Sequence, residues 1–239
     1  MPVMRLDKLI SNSGLAKRSQ VKRLVRDGRI TVNGESATDA AMHCDSAWDI
    51  RVDGTPAIWQ EFRYFMMHKP AGYLSVTEDR ARPTVLDLLP EEYKRLGLFS
   101  VGRLDMDSEG LLILTNDGAF CHRVISPKSG IRKEYRIQVS HPFPVGAEQR
   151  FRAGIMLDDG SVCLPAELIC EPDRLTALVR IREGKYHQVK RMALAEGTRV
   201  QYLKRLSIGG LRLDPELAPG QVRDLTEAER MRVEFTEMQ

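Results

Sequence analysis

The chain has few cysteines and no pattern among them. Cys44, Cys121, Cys163 and Cys170 stand apart, with no two separated by two to four residues. The paired-thiol spacing of a structural zinc site is therefore missing. His43-Cys44 and Cys121-His122 read as buried thiols beside surface imidazoles, and no metal is expected. No apolar run approaches the roughly 18 residues of a membrane span. No secretory pattern follows Met1. The expected location is cytoplasmic, without a membrane partner. A large excess of one charge is lacking as well: 36 Lys+Arg against 33 Asp+Glu leave a net +3, which excludes a bulk polycation.

What is present is distribution. Residues 5–29 hold eight Lys/Arg against Asp7 and Asp27, whereas from Asp214 onward seven acids face three arginines. A basic end on a near-neutral chain suggests a nucleic-acid footprint. With 239 residues, 42% of them apolar, there is room for one large domain and one small.

Leu6, Leu9 and Ile10 have helical spacing, and Ser13-Gly14 stops that helix. Ser19 suits the N-cap of a second helix over residues 20–27, in which Val21, Leu24 and Val25 form one apolar face and Gly28 ends the run. Arg5, Lys8, Lys17, Arg18, Lys22, Arg23 and Arg26 lie on the remaining surface as candidate phosphate contacts. Ile30-Thr31-Val32 then enters an Asn33-Gly34 hairpin. Residues 55–61 read as a linker, so the expected division is 1–60 and 61–239.

The most informative stretch is Gly102-Arg103-Leu104-Asp105-Met106-Asp107-Ser108-Glu109-Gly110. It lies between a short apolar run and a long one, Leu111-Leu112-Ile113-Leu114, which ends in an Asn116-Asp117-Gly118 turn. The pattern predicts strand, polar loop, buried strand and turn, with three carboxylates and Arg103 on the loop. Loops held on a rigid scaffold are where reactive groups are presented. A solvated acidic turn is one reading. A metal-binding Asp-x-Asp loop is another, although Glu109 stands where such loops place Thr or Val.

Further on, residues 63–67 form a compact strand before Lys69-Pro70-Ala71-Gly72, and residues 83–89 read as a short helix stopped by Pro90. Helices are expected over residues 119–125 and 147–153. Lys133-Glu134-Tyr135-Arg136-Ile137-Gln138-Val139 alternates, so Tyr135, Ile137 and Val139 share a face, as an ordinary core tyrosine would. A strand pair is expected over residues 163–170 and 177–181. Arg182-Glu183-Gly184-Lys185-Tyr186-His187-Gln188-Val189-Lys190-Arg191-Met192 then puts cations on a first helical turn, where they oppose the helix dipole unless an anion sits nearby. Thr226 caps a terminal helix.

Read together, these phrases resemble the RsuA-type pseudouridine synthases. The Gly-Arg-Leu-Asp-x-x-Ser-x-Gly-Leu-Leu-Ile-Leu-Thr-Asn run looks like their signature, with Asp105 at the catalytic aspartate. Lys69-Pro70-x-Gly72, the Lys133-x-Tyr135 pair thirty residues beyond the aspartate, and the 182–192 phrase follow in the family's order. The N-terminal segment, through residues 5–9 and 29–34, is similar to the αL-type RNA-binding domain of ribosomal protein S-four.

The resemblance implies an α+β chain: that small domain, then a synthase domain with a mixed, mainly antiparallel sheet crossed by the active cleft. It implies conversion of a uridine to pseudouridine in a flipped-out base, without a cofactor or metal. Asp105 would be the nucleophile, Lys190 its ion-pair partner and Tyr135 the residue stacked on the uracil. Arg103 would fill the gap left by the base or hold a phosphate, and Arg191 would bind RNA.

The wording of the 182–192 phrase is nearest the small-subunit branch of the family. That branch implies ribosomal RNA as partner (16S rRNA at uridine 516, free or in an assembling small subunit) and action as a monomer. Other readings are a large-subunit 23S rRNA synthase, a non-catalytic ribosome-assembly factor, and a hydrolase pairing Asp105 with Asp107 or Glu109.

Overall fold

The computed structural model describes residues 2–234. They form two compact units. One takes the chain up to Arg63 together with Leu89–Leu98; the other takes Tyr64–Leu88 and the chain from Phe99 onward.

In the first unit, β1 (Val3–Arg5) leads into α1 (Leu6–Asn12) and α2 (Arg18–Arg26). Short strands follow: β2 (Ile30–Val32), β3 (Glu35–Ser36), β4 (His43–Asp45), β5 (Ile50–Val52) and β6 (Thr55–Pro56). Leu6, Leu9, Ile10, Val21 and Leu24 pack with Ile30, Cys44 and Ile50 in one core. The expected spacing thus marked the buried faces. Asn33 (φ 53°) and Gly34 (φ 87°) are both left-handed, as the β2–β3 hairpin requires.

Two expectations here need correction. Helix α2 starts at Arg18 rather than after Ser19, because Gln20 Oε1 reaches back to accept from Lys17 N–H at 3.0 Å. The stretch 55–61 is not all linker. Asp53 (φ 50°) and Gly54 (φ 77°) make a second hairpin that returns β6 to β5, and Ala57 N–H donates to Ile50 O at 2.7 Å. A turn of that kind folds the chain back instead of releasing it, and Trp59 still packs on the core.

In the second unit, β7 (Tyr64–Lys69) precedes β8 (Phe99–Ser100), β9 (Glu109–Thr115), α4 (Gly118–Ile125), β10 (Lys133–Val139), α5 (Ala147–Ala153) and β11 (Glu167–Cys170). After them come β12 (Thr176–Ile181), α6 (Gln188–Ala195), β13 (Val200–Ile208), β14 (Leu211–Arg212), β15 (Val222–Asp224) and α7 (Glu227–Glu234). The short α3 (Glu91–Lys94) lies in the segment that clusters with the first unit.

The sheet runs β11-β12-β10-β13-β9-β7-β15, with β14 on β13 and β8 on β9. Every pairing is antiparallel except β9 with β13. The class is therefore α+β with a mixed, mainly antiparallel sheet. At the parallel junction the backbones approach so closely that a Cβ on Gly110 (φ 109°) would stand 2.2 Å from Arg205 O. Only glycine fits there.

Three local expectations change. Asn116-Asp117-Gly118 is not a free turn: Asp117 caps α4, accepting from Phe120 N–H at 2.9 Å. Residues 83–89 form only a 3-10 turn at Val85–Leu88, too short a run between Pro83 and Pro90 to propagate a helix. The strand expected from Cys163 begins at Glu167; Pro165, without an N–H, suits a loop there and not a paired strand. Thr226 does cap α7, through a reciprocal box with Glu229.

Two apolar clusters flank the sheet. One gathers Ile137, Val139, Phe143, Phe151, Val179 and Met192; the other gathers Met66, Leu111, Ile113, Phe120 and Val124. Among the described residues no helix is long and apolar enough to cross a membrane.

Candidate active site

Residues 101–108 connect β8 to β9 and carry Arg103, Asp105 and Asp107. The loop is anchored by apolar burial, with Val101 at its start in one core cluster and Leu104 at its middle in the other. From Leu104 onward its backbone is also held by groups of the segment that follows β7. Ser75 Oγ donates to Leu104 O at 2.9 Å and accepts from Leu104 N–H at 3.1 Å. Gly72 N–H donates to Met106 O at 2.7 Å.

Lys69 completes the brace. Its side chain is 0% exposed, and Nζ donates to the carbonyls of Pro70 (3.0 Å), Met106 (3.3 Å) and Ser108 (2.7 Å). Burial pushes its pKa down to about 8, against the pull of Asp107, Asp105 and Glu109. In the sequence Lys69 was only part of a turn phrase. A lysine closing an apolar strand was the available sign of a buried cation with main-chain partners.

Lys190 reaches the loop from the opposite side. It stands on the first turn of α6, where Nζ lies 2.9 Å from Asp105 Oδ2 and 2.6 Å from Asp107 Oδ1. These carboxylates are the anions that the basic helix start called for. Partial burial works against the charge on Lys190, but the hydrogen bonds to Asp107 and Asp105 outweigh it and raise the pKa above the ordinary lysine value. Desolvation likewise opposes the Asp107 anion, and Lys190 reverses this, holding Asp107 below the usual carboxylate range. His187 Nε2 lies 3.4 Å from Asp105 Oδ1. The two oxygens of Asp105 thus face one cation and one imidazole. His187 lay inside the 182–192 phrase without being singled out, since nothing in the spacing marks it.

A cleft joins these groups, lined among others by Arg103, Asp105, Tyr135, His187, Lys190 and Leu203. Tyr135 comes from β10, between Val179 on β12 and Arg205 on β13. It is buried to 8% exposure and packs in the same cluster as Leu104 and Val189, so it is a core tyrosine and a cleft wall at once. Arg103 is exposed at the cleft and makes no ion pair among the described residues.

Other expected cations divide. Arg191 is held by Asp158 (2.5 Å) and Asp159 (2.7 Å), away from the residues that line the cleft. Arg5 and Arg18 both pair with Asp7, and Arg26 lies 3.5 Å from Asp27. Lys8, Lys17, Lys22 and Arg23 are exposed and make no ion pair among the described residues. No group of three or more His, Cys, Asp or Glu is placed to hold a metal ion among the described residues.

The arrangement presents an oriented carboxylate beside an aromatic wall, in a cleft rimmed by cations. Such a site suits nucleophilic or proton-transfer chemistry on a planar group within an anionic polymer. Comparison with known proteins agrees. Residues 63–195 match the family described as RNA pseudouridylate synthase, and residues 4–47 match the S4 domain. The chain belongs to the RNA pseudouridylate synthase family and is a pseudouridine synthase acting on RNA.

It is 44% identical over 230 residues to YtzG of Bacillus subtilis, described as an uncharacterized RNA pseudouridine synthase, with 95% of this chain and 96% of that protein covered. It is 42% identical to ribosomal small subunit pseudouridine synthase A of Yersinia pestis and 40% identical to that of Escherichia coli K12. These matches span 95% of this chain and 96% and 98% of the relatives. A solved pseudouridylate synthase aligns with a TM-score of 0.68 at 34% identity, over 96% of this chain and 99% of that one.

Proposed function

We propose that the protein isomerises a uridine of 16S ribosomal RNA to pseudouridine, at uridine 516, with Asp105 as the nucleophile. The observation that carries this reading is the Asp105 carboxylate held at 2.9 Å by Lys190 in a cleft walled by Tyr135. The small-subunit target is supported by the identity of the Yersinia and Escherichia relatives as ribosomal small subunit pseudouridine synthases A.

The reaction breaks the N1–C1′ bond of the nucleoside and joins C1′ to C5; the C5 hydrogen is released to solvent and N1 takes up a proton. The uridine must leave its stack to reach a carboxylate that lines a cleft. Lys190 keeps Asp105 oriented and supplies the neutralising charge. Tyr135 holds the uracil face. Arg103 fills the space vacated by the base or holds an adjacent phosphate. Residues 1–60 add phosphate contacts through Lys8, Lys17, Lys22 and Arg23, which raise affinity without reading bases, and residues 61–239 perform the chemistry. The enzyme works as a monomer on free 16S rRNA or an assembling small subunit.

The test is Asp105→Asn, which keeps the shape and removes the nucleophile. Tritium release from 5-tritiated uridine in 16S rRNA should vanish while RNA binding persists. Clear turnover by the variant would remove Asp105 from the mechanism.

A further inference from the structure

Residues 182–187 do more than deliver Lys190 to the cleft. Tyr186 is 76% exposed, more than any other aromatic among the described residues. Its ring lies on the imidazole of His187, with centroids 3.8 Å apart and planes 18° from parallel. His187 Nε2 stands 3.4 Å from Asp105. An aromatic stack therefore runs outward from beside the nucleophile to the surface.

The segment beneath this stack is held firmly. His187 has φ 49° and ψ 32°, a left-handed conformation uncommon outside glycine. Gln188, buried to 4%, accepts from Lys185 N–H at 2.9 Å and donates to Glu183 Oε1 at 2.8 Å. Glu183 also accepts from Leu164 N–H at 2.8 Å, and Lys185 Nζ donates to Val162 O at 2.6 Å. An exposed aromatic on a braced loop is pre-organised for contact, since little freedom remains to be lost on binding. Arg103 of the cleft lining and Arg182 of the same segment are exposed and make no ion pair among the described residues.

We propose that the Tyr186–His187 stack is a platform for a nucleobase adjacent to the target uridine in the RNA strand. Flipping the uridine out leaves its neighbours without a stacking partner. A ring beside the mouth of the cleft restores one, and aromatic platforms accept any base because each has a π-face. The platform explains why so exposed a tyrosine is built against the imidazole that touches Asp105. It rests on the RNA substrate proposed above and adds a binding subsite to it.

The experiment uses the full chain and a 16S rRNA fragment carrying 2-aminopurine next to the target uridine. Binding to the turnover-blocked Asp105→Asn protein should quench the probe. Adding Tyr186→Ala should abolish that quench. In the otherwise native enzyme, Tyr186→Ala should raise KM about tenfold, equivalent to about 1.4 kcal/mol, with the loss falling on KM and not on kcat. Tyr186→Phe should restore most of it, and Tyr186→Leu should not.

Equal KM for the Ala variant and the native enzyme, or rescue by Leu as complete as by Phe, would overturn the platform alone. If the native enzyme makes no pseudouridine in any ribosomal RNA, the substrate reading falls and the platform with it. Tyr186 is exposed, so the Ala variant is expected to fold normally.

Discussion

At the residue scale, the site depends on how few groups touch Asp105. Lys190 faces one carboxylate oxygen at 2.9 Å and His187 the other at 3.4 Å, while Asp107 shares the same ammonium from the exposed side. Asp107 is 73% exposed at its side chain against 29% for Asp105, so it serves as an outer counter-charge to Lys190. Lys190 is the group whose loss should separate chemistry from binding. Replacing it with Met removes the cation nearest the nucleophile and leaves the phosphate contacts of the first unit untouched. Lys190→Met should lower kcat by orders of magnitude while RNA affinity changes by less than about tenfold, or roughly 1.4 kcal/mol. Lys190→Arg should recover part of the rate. Loss of affinity in proportion to loss of rate, measured side by side, would place Lys190 on the RNA backbone instead.

At the scale of elements, the 101–108 loop is a connection between two strands whose geometry is set from outside. Its backbone carbonyls have been given a buried lysine as partner, and such groups are costly to leave unmet. Lys69→Met should therefore destabilise the protein by about 1–3 kcal/mol, the cost of leaving buried acceptors unsatisfied, as read by urea unfolding. The pH dependence follows from the depressed pKa. Lys69 titrates at about 8 in the folded chain against 10.5 when unperturbed. Below about 8 both states hold the proton, and the penalty for a buried charge is fully present. Between about 8 and 10.5 the unfolded chain binds more protons, so this group favours folding increasingly as pH rises. The stability gap between native protein and Lys69→Met should accordingly widen across that window. A gap that narrows would mean that Lys69 enters the fold without the strain of burial.

At the scale of the whole molecule, a chain with a net charge of only +3 engages a polyanion by concentrating cations. The first unit does this unevenly. Arg5 and Arg18 share Asp7, whereas Lys22 and Arg23 on α2 make no ion pair among the described residues. Only cations of the second kind displace counterions from RNA without first breaking an ion pair. Lys22→Ala with Arg23→Ala should weaken RNA binding and flatten its dependence on salt, by about one unit of slope for each phosphate no longer engaged. Turnover at saturating RNA should be retained. An unchanged salt slope would assign these residues another task.

The sequence alone carried the α+β class, the two-part organisation, the helical faces of α1 and α2, the Asn33-Gly34 hairpin and the family. These are local or ordered features: apolar spacing reports a face, a left-handed turn pair reports a hairpin, and a run of motifs in order reports shared ancestry. Tertiary structure decided the rest. The hairpin at Asp53-Gly54 became part of a sheet because β5 was there to receive β6. Asn116-Asp117-Gly118 became a helix cap because the chain beyond it had a core to enter. The brace by Lys69, the approach of His187, and the diversion of Arg191 to Asp158 and Asp159 join residues that lie from about thirty to more than eighty positions apart. Sequence spacing carries no record of such distances. They exist only once the parallel pairing of β9 with β13 and the packing of α6 have brought the two sides of the cleft together.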